Sequence, residues 1–286
     1  MKIIDIHTHG IGGFDTQTTS EDNILEIARI HGSNVVSEIM PTIYPANLET
    51  MRENMFAVSK AIDKQKSTGP GSARIIGMHL EGPFLNPEKC GALDAGAFLQ
   101  PDEYIFKKLT EGFEDEIKII TIAPEREGAT RLIRSISDSG IIASMGHSDA
   151  TYAEAEAGYQ AGARGITHIF NAMRGIHHRE PGISGFGLLN KDIYIEVIAD
   201  PFHLDPAIIE LVFSVKKRDR IILVSDTVKE SGTGEDADAV RNHNDRLLGG
   251  SMTVKASAER LSQKGYDKEV IMKCISSNPD NYLNVR

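Results

Sequence analysis

Two histidines one residue apart, His7-Thr8-His9, close an apolar run near the start of the chain. In extended backbone, residues two positions apart point to the same side, so both imidazoles can reach one cation. The pattern of an apolar, β-branched run ending in a metal-ligand side chain returns four times. It appears at His79-Leu80-Glu81, at Gly146-His147-Ser148, at His168 and at Ser225-Asp226. Imidazole nitrogen and carboxylate oxygen suit zinc first, and also iron, manganese or similar divalent ions. Thiolates are absent from the set. Each piece alone has an ordinary explanation: a His-x-His arises by chance, one histidine is usually hydrogen-bonded, and Asp226 could cap a helix. Five of them at the ends of separate runs point to a shared cation, bound as one or two ions. Such an ion lowers the pKa of its water to about 7 and polarises a carbonyl as charge develops on it. A carboxylate beside it can take the proton of the attacking water and return it to a departing amine. That set can cleave an amide without a serine or cysteine nucleophile, and no GxSxG elbow or catalytic-cysteine signature competes with it.

The elements that must position these residues follow from periodicity. Eight short apolar runs, 2–9, 35–43, 74–81, 117–123, 141–147, 165–170, 194–200 and 220–226, are nearly continuous, as in parallel strands covered on both faces. Helical patterns separate them, for example 20–31, 47–64, 151–161 and 206–216. Eight alternations predict an α/β chain folded as one (β/α)8 TIM barrel over 1–286, with an open doubly wound sheet as the competing topology. Two long loops, 86–102 and 229–250, follow the carboxyl ends of the third and eighth strands, the face on which barrels build active sites. The tail, 256–264 and 268–277, is expected to form two closing helices.

Charge narrows the partners. With 31 Lys and Arg against 41 Asp and Glu, the net charge is −10, which gives nucleic acid or anionic membrane no purchase. An anionic ligand would need a local basic group. Cys90 and Cys274 lie far apart in no metal-like spacing, MKIIDIHTHG lacks the form of a signal peptide, and no apolar run approaches the ~18 residues of a membrane span. A cytoplasmic home is expected.

The stretches DIHTHG, HLEGPFLNPEKCGA, MGHSDATYAEAEAGYQAGARGITHIFNAM, REPG, IADPFHLDP, LVSDT and LLGGSMTV together resemble the N-acetylglucosamine-6-phosphate deacetylase family of the amidohydrolase superfamily. The resemblance extends over almost the whole chain. It implies that Glu81, His147 and His168 are principal metal ligands, with His7 and His9 supporting a second metal bridged by Glu81. It implies Asp226 as general base, Asn171 and Ala172 as sugar contacts, and Arg179 as a phosphate contact. His203 matches a ligand-contacting position that can come from a neighbouring subunit, so a homodimer acting on a small amino sugar phosphate is expected. Many superfamily members bridge two metals with a carboxylated lysine ending strand four. Here that strand runs into Pro124 and Glu125, with Lys118 at its wrong end.

Three departures from the family pattern stand out. Members carry chain before the first strand and after the last helix that together form a small β-sandwich, a domain this sequence is expected to lack. Leu93 stands where a substrate-contacting histidine is usual, and Pro201 follows Asp200 where glycine is usual. His177 and His178 read as a solvated loop. Two other functions stay open on the residues alone: a hydrolase of the same scaffold for another N-acyl or cyclic amide, and a non-catalytic sugar-phosphate binder.

Overall fold

The computed structural model describes residues 2–66, 71–232, 238–241 and 245–285. Eight parallel strands run around a barrel: β1 (Ile4–Thr8), β2 (Glu38–Ile43), β3 (Met78–Leu80), β4 (Ile117–Ile122), β5 (Ile142–Met145), β6 (Gly165–Ile166), β7 (Tyr194–Ile198) and β8 (Ile221–Val224). Each pairs with the next in sequence. The ring meets at a seam between its first and last members. There Thr8 bridges Thr227, and the backbone N–H of Asp226 donates to the carbonyl of His7 at 2.9 Å. The barrel topology expected from periodicity is therefore the one observed.

Helices cover the outside: α1 (Glu21–Ser33), α2 (Leu48–Gln65), α3 (Glu103–Thr110), α4 (Ala129–Asp138), α5 (Tyr152–Ala161), α6 (Gly182–Leu189) and α7 (Pro206–Val215). Their apolar spacing explains their seating. Ile24, Ile27, Ala28 and His31 form the buried stripe of α1, and Met51, Met55 and Val58 that of α2. Each large apolar side chain so buried contributes roughly 1.5–3 kcal/mol. Local chemistry fixes the helix starts. The Asn47 side chain accepts from Thr50 N–H, and Thr151 with Glu154 forms a reciprocal capping box.

Inside the barrel the side chains are layered by the two-residue strand period. An apolar plug of Ile4, Met40, Ile119, Ile142, Tyr194 and Ile222 closes on Tyr282. Two positions further along several strands the lining becomes polar: Thr121, Ser144 and Glu196, each buried. Beyond that belt lie the predicted ligands.

The structure corrects the expected strand ends. The run 165–170 pairs only over Gly165–Ile166, 141–147 only over Ile142–Met145, and 220–226 only over Ile221–Val224. The cause is backbone geometry, because His147, His168 and Asp226 adopt left-handed φ values of 46°, 29° and 50°. Such values interrupt a ladder and cost about 1 kcal/mol or more per non-glycine residue. The tail also holds more than two helices: α8 (Val254–Gln263) and α9 (Lys268–Cys274) are followed by α10 (Ser277–Leu283), which supplies Tyr282. The loop 86–102 contains two 3-10 turns, Pro87–Lys89 and Ala95–Ala97. Of the predicted loop 229–250, residues 233–237 and 242–244 lie outside the described residues. Among the described residues, no helix is long and apolar enough to cross a membrane.

Candidate metal centre and active site

The six predicted ligands converge at the carboxyl ends of the strands, all at most 9% exposed. They fall into two triads of ligand atoms, Glu81 with His147 and His168, and His7 with His9 and Asp226. Glu81 joins them. Its Oε1 lies 2.9 Å from His168 Nε2 and 3.2 Å from His147 Nε2, while its Oε2 lies 3.1 Å from His9 Nε2. Asp226 Oδ1 sits 3.3 Å from His7 Nε2 and 3.5 Å from His9 Nε2.

Surrounding groups set which ring nitrogen faces inward. His147 Nδ1 donates to the Lys89 carbonyl at 2.8 Å, and His9 Nδ1 to the Thr42 carbonyl at 3.0 Å. A carbonyl only accepts, so each ring turns its Nε2 lone pair to the centre. His7 Nδ1 is held by Glu196 Oε2 at 3.0 Å in the same sense. Tyr44 stacks on His9 with ring centroids 3.9 Å apart. Gly146 lets β5 turn out between its neighbours, since a Cβ there would stand 2.9 Å from both Thr121 Cγ2 and Thr167 Cβ. Glu125 braces the adjoining loops, accepting from Asn86 Nδ2, Ser148 Oγ and Asp149 N–H. Lys118 donates to Asp115 O at the far end of β4, away from the centre.

This donor set fits a divalent cation. His7 and His9 bring two inward lone pairs within 3.3 Å of each other, an arrangement repulsive unless a positive centre lies between them. The electrostatics agree. Burial works against charge on His7, yet Asp226, Glu196 and Glu81 raise its pKa well above the ordinary 6.5. Without a metal, ring protons take its place: burial opposes ionisation of Glu81, but the charge and hydrogen bond of a protonated His147, with further bonds from His168 and His7, hold it well below the carboxylate range. Buried acids that demand a nearby positive charge are what a metal satisfies. A third group of buried ligand atoms, His7 with His79 and Glu196, lies on the barrel side of the centre.

A cavity of about 560 Å³ opens over the triads. Asn171, Ala172, His203 and Leu93, all singled out in the sequence, line it. His203 is half held by Asp200, whose Oδ2 accepts from Nδ1 at 2.9 Å. Pro201 removes none of these bonds, because Asp200 Oδ1 accepts from the N–H groups of Phe202 and His203. Arg179 lies outside the lining, on an exposed turn where its N–H meets His177 Nδ1, and His177 packs against His178. Sequence reasoning missed Tyr44, Glu196, Arg241 and Arg246. Only Glu196 carried a visible signal, an acid inside the apolar run Tyr194-Ile195-Glu196-Val197-Ile198.

No family model matches the chain. Among curated proteins, the N-acetylgalactosamine-6-phosphate deacetylase of Escherichia coli O157:H7 is 31% identical over 295 residues, covering 99% of this chain and 77% of that protein. The N-acetylglucosamine-6-phosphate deacetylase of Bacillus subtilis (strain 168) is 36% identical over 232 residues, covering 80% of this chain. The chain matches only 58% of that relative's length. Among solved structures, N-acetylglucosamine-6-phosphate deacetylase from Thermotoga maritima superposes with a TM-score of 0.87 at 30% identity, over 99% of this chain and 78% of that one. With one relative matched along nearly the whole sequence, a solved barrel of the same shape, and a group of side chains at its mouth that could hold a metal, the chain belongs to the N-acetylglucosamine-6-phosphate deacetylase family.

Proposed function

We propose that this chain hydrolyses the N-acetyl amide of an amino sugar phosphate, with N-acetylglucosamine 6-phosphate and its galactosamine counterpart as leading substrates, and that one barrel unit carries the chemistry. The observation that carries the reading is the pair of triads sharing Glu81 on the floor of a cavity sized for one small ligand. Glu81, His147 and His168 would hold one divalent ion, zinc first, and His7, His9 and Asp226 with Glu81 a second. When bound, the metal supplies Lewis acidity that acidifies water and polarises the amide carbonyl. Asp226 Oδ1, at the edge of the cavity, takes the proton of the attacking water and gives it to the departing amine nitrogen. Asn171 and Ala172 flank the sugar, and the buried His203–Asp200 pair faces it from the β7 side. A homodimer belongs to the same reading. Phe202, beside His203, keeps 37% of its surface exposed, as a side chain awaiting a partner subunit would.

Metal-loaded protein should release acetate from N-acetylglucosamine 6-phosphate. Asp226→Asn should keep the ion of the Glu81, His147 and His168 triad by elemental analysis and lose about 10²- to 10⁴-fold in turnover. No acetate release by protein shown to contain metal removes the claim. Leu93 supports a second reading, because a leucine in the cavity wall cannot donate to a carbonyl and favours a bulkier apolar acyl group. A panel of N-acyl chain lengths separates the two by which one gives the higher kcat/KM.

A further inference from the structure

Adding water to an amide gathers negative charge on the carbonyl oxygen, and a fixed donor aimed at that oxygen is worth most in a site sheltered from solvent. Most side chains that line the cavity have no such donor to give. His9, His147 and His168 turn Nε2 toward the Glu81 carboxylate, and Leu93 has no polar atom in its side chain. Asn171 Nδ2 donates to the His168 carbonyl at 3.2 Å, and His203 Nδ1 to Asp200 Oδ2 at 2.9 Å. Arg241 is ion-paired with Asp245, and Arg246 Nη1 meets the Gly91 carbonyl at 3.4 Å. Tyr44 differs. It lines the cavity, yet its hydroxyl has no hydrogen-bond partner among the described residues. Tyr44 is the first residue beyond β2, at the end of the barrel that carries the ligands. Its ring stacks on His9 with 3.9 Å between centroids and 17° between planes. His9 is in turn held by the carbonyl of Thr42, two residues before Tyr44, so the phenol is braced from both sides. The charges of Asp15, Asp226, Glu81 and Glu230 all act on its hydroxyl. Negative surroundings keep a phenol protonated, so it stands at the cavity as a donor. Sheltered polar groups are hydrogen-bonded as a rule, and a donor left over beside Glu81 and Asp226 suits an acceptor that the ligand brings.

We propose that Tyr44 is a catalytic residue whose hydroxyl donates a hydrogen bond to the carbonyl oxygen of the scissile amide. The assignment rests on the amide-hydrolase reading, which supplies that oxygen. As the water oxygen bonds to the carbonyl carbon, the π pair of the C=O bond moves onto oxygen. Tyr44 stabilises it there and keeps its own proton. The pair returns as the C–N bond breaks. The amine nitrogen leaves with the proton that Asp226 took from water, and the acid departs to ionise as acetate.

The test uses metal-loaded protein and Tyr44→Phe, which keeps the ring on His9 and removes only the hydroxyl. Kinetics on N-acetylglucosamine 6-phosphate are run beside calorimetry with two ligands. One is the product, glucosamine 6-phosphate, and the other its methylphosphonamidate, whose tetrahedral P–O⁻ copies the charged oxygen. With metal content equal to that of the wild type, kcat should fall about 10²-fold and KM hold. The phosphonamidate should weaken by a similar factor while the product binds as before. A kcat within about threefold of the wild type would overturn the proposal. So would equal weakening of product and phosphonamidate, which is what a merely structural role for the ring and its hydroxyl predicts. A metal-bearing wild type that releases no acetate, yet binds the phosphonamidate in a Tyr44-dependent way, would instead sink the deacetylase reading and leave the donor standing. If neither acetate release nor Tyr44-dependent binding is seen, both fall.

Discussion

Replacing Asp200 by asparagine removes one charge and reverses one hydrogen-bond polarity at the wall of the cavity. The carboxylate is 1% exposed and accepts four bonds, from the N–H groups of Phe202, His203 and Ser251 and from His203 Nδ1. Burial alone would raise its pKa, but the hydrogen bond and charge of His203, with the backbone donors, bring it from 3.8 to about 2. At about 1.4 kcal/mol per pH unit, that depression is about 2.5 kcal/mol of folding stability. The sign follows from which state holds the proton. The carboxylate contribution is fully present above pH 3.8 and is lost as pH falls through about 2. The His203 contribution has the opposite slope. Burial lowers its pKa, Asp200 and Asp226 raise it above 6.5, and so its share is full below 6.5 and lost as pH rises through the raised value. Urea denaturation of the wild type and Asp200→Asn should therefore differ by about 2 to 3 kcal/mol near pH 5.5, with a smaller gap near pH 9. In the variant, the amide nitrogen would face the Ser251 N–H, and His203 could keep its bond only by presenting a lone pair, so its pKa measured by NMR should fall to 6.5 or below. A gap under about 1 kcal/mol at pH 5.5, or a His203 titration identical in both proteins, would refute the reasoning.

Three further outcomes follow. Glu196→Gln leaves a group that can present either a donor or an acceptor to His7 Nδ1, now 3.0 Å from a carboxylate; metal affinity in chelator competition should drop about ten- to a hundredfold with the circular dichroism unchanged. Gly165→Ala would set a Cβ 1.9 Å from the Tyr282 hydroxyl and 2.9 Å from Ser144 Oγ, inside a barrel with nowhere to give. It should cost about 2 kcal/mol, part of it regained in a Gly165→Ala, Tyr282→Phe double variant, and full stability of the single variant would contradict the packing described. Stripping the divalent ion should lower Tm in a ligand-dependent way, with about 4 kcal/mol returned when free metal is a thousandfold above Kd. A Tm indifferent to chelator would mean that the triads bind nothing in the folded state.

Topology was the most legible level of the sequence. Apolar runs rich in Ile such as 117–123 and 220–226, alternating with helical patterns, read as strands covered on both faces, and the polar residues closing several of them mark one end of the barrel. The candidate ligands, and their convergence at that end, were legible for that reason. Where strands stop was not, because His147, His168 and Asp226 are bent out of the ladder by the demands of the centre, and propensity carries no record of that. The last helix was hidden by its composition, since Ser-Asn-Pro-Asp-Asn-Tyr-Leu is poor in helix formers and is held by the burial of Asn278, Pro279 and Tyr282. Arg241 and Arg246 were unreadable for a different reason. They belong to an arm without periodicity, and their place beside the opening shows only in the fold.

The join between the first and last strands gives the molecule an order of assembly. Thr8 and Thr227, 219 positions apart, share a 2.8 Å hydroxyl contact there, and the ligands His7, His9 and Asp226 straddle the same line. A chain emerging in sequence can fold most of its helices and pair seven strands while Asp226, one of the six candidate ligands, has yet to reach His7 and His9. Contacts between residues so far apart in sequence form late in folding as a rule, so the second triad is completed after the first. An ion held by His7, His9 and Asp226 would span the join and act as a clasp, so its occupancy and ring closure would favour each other.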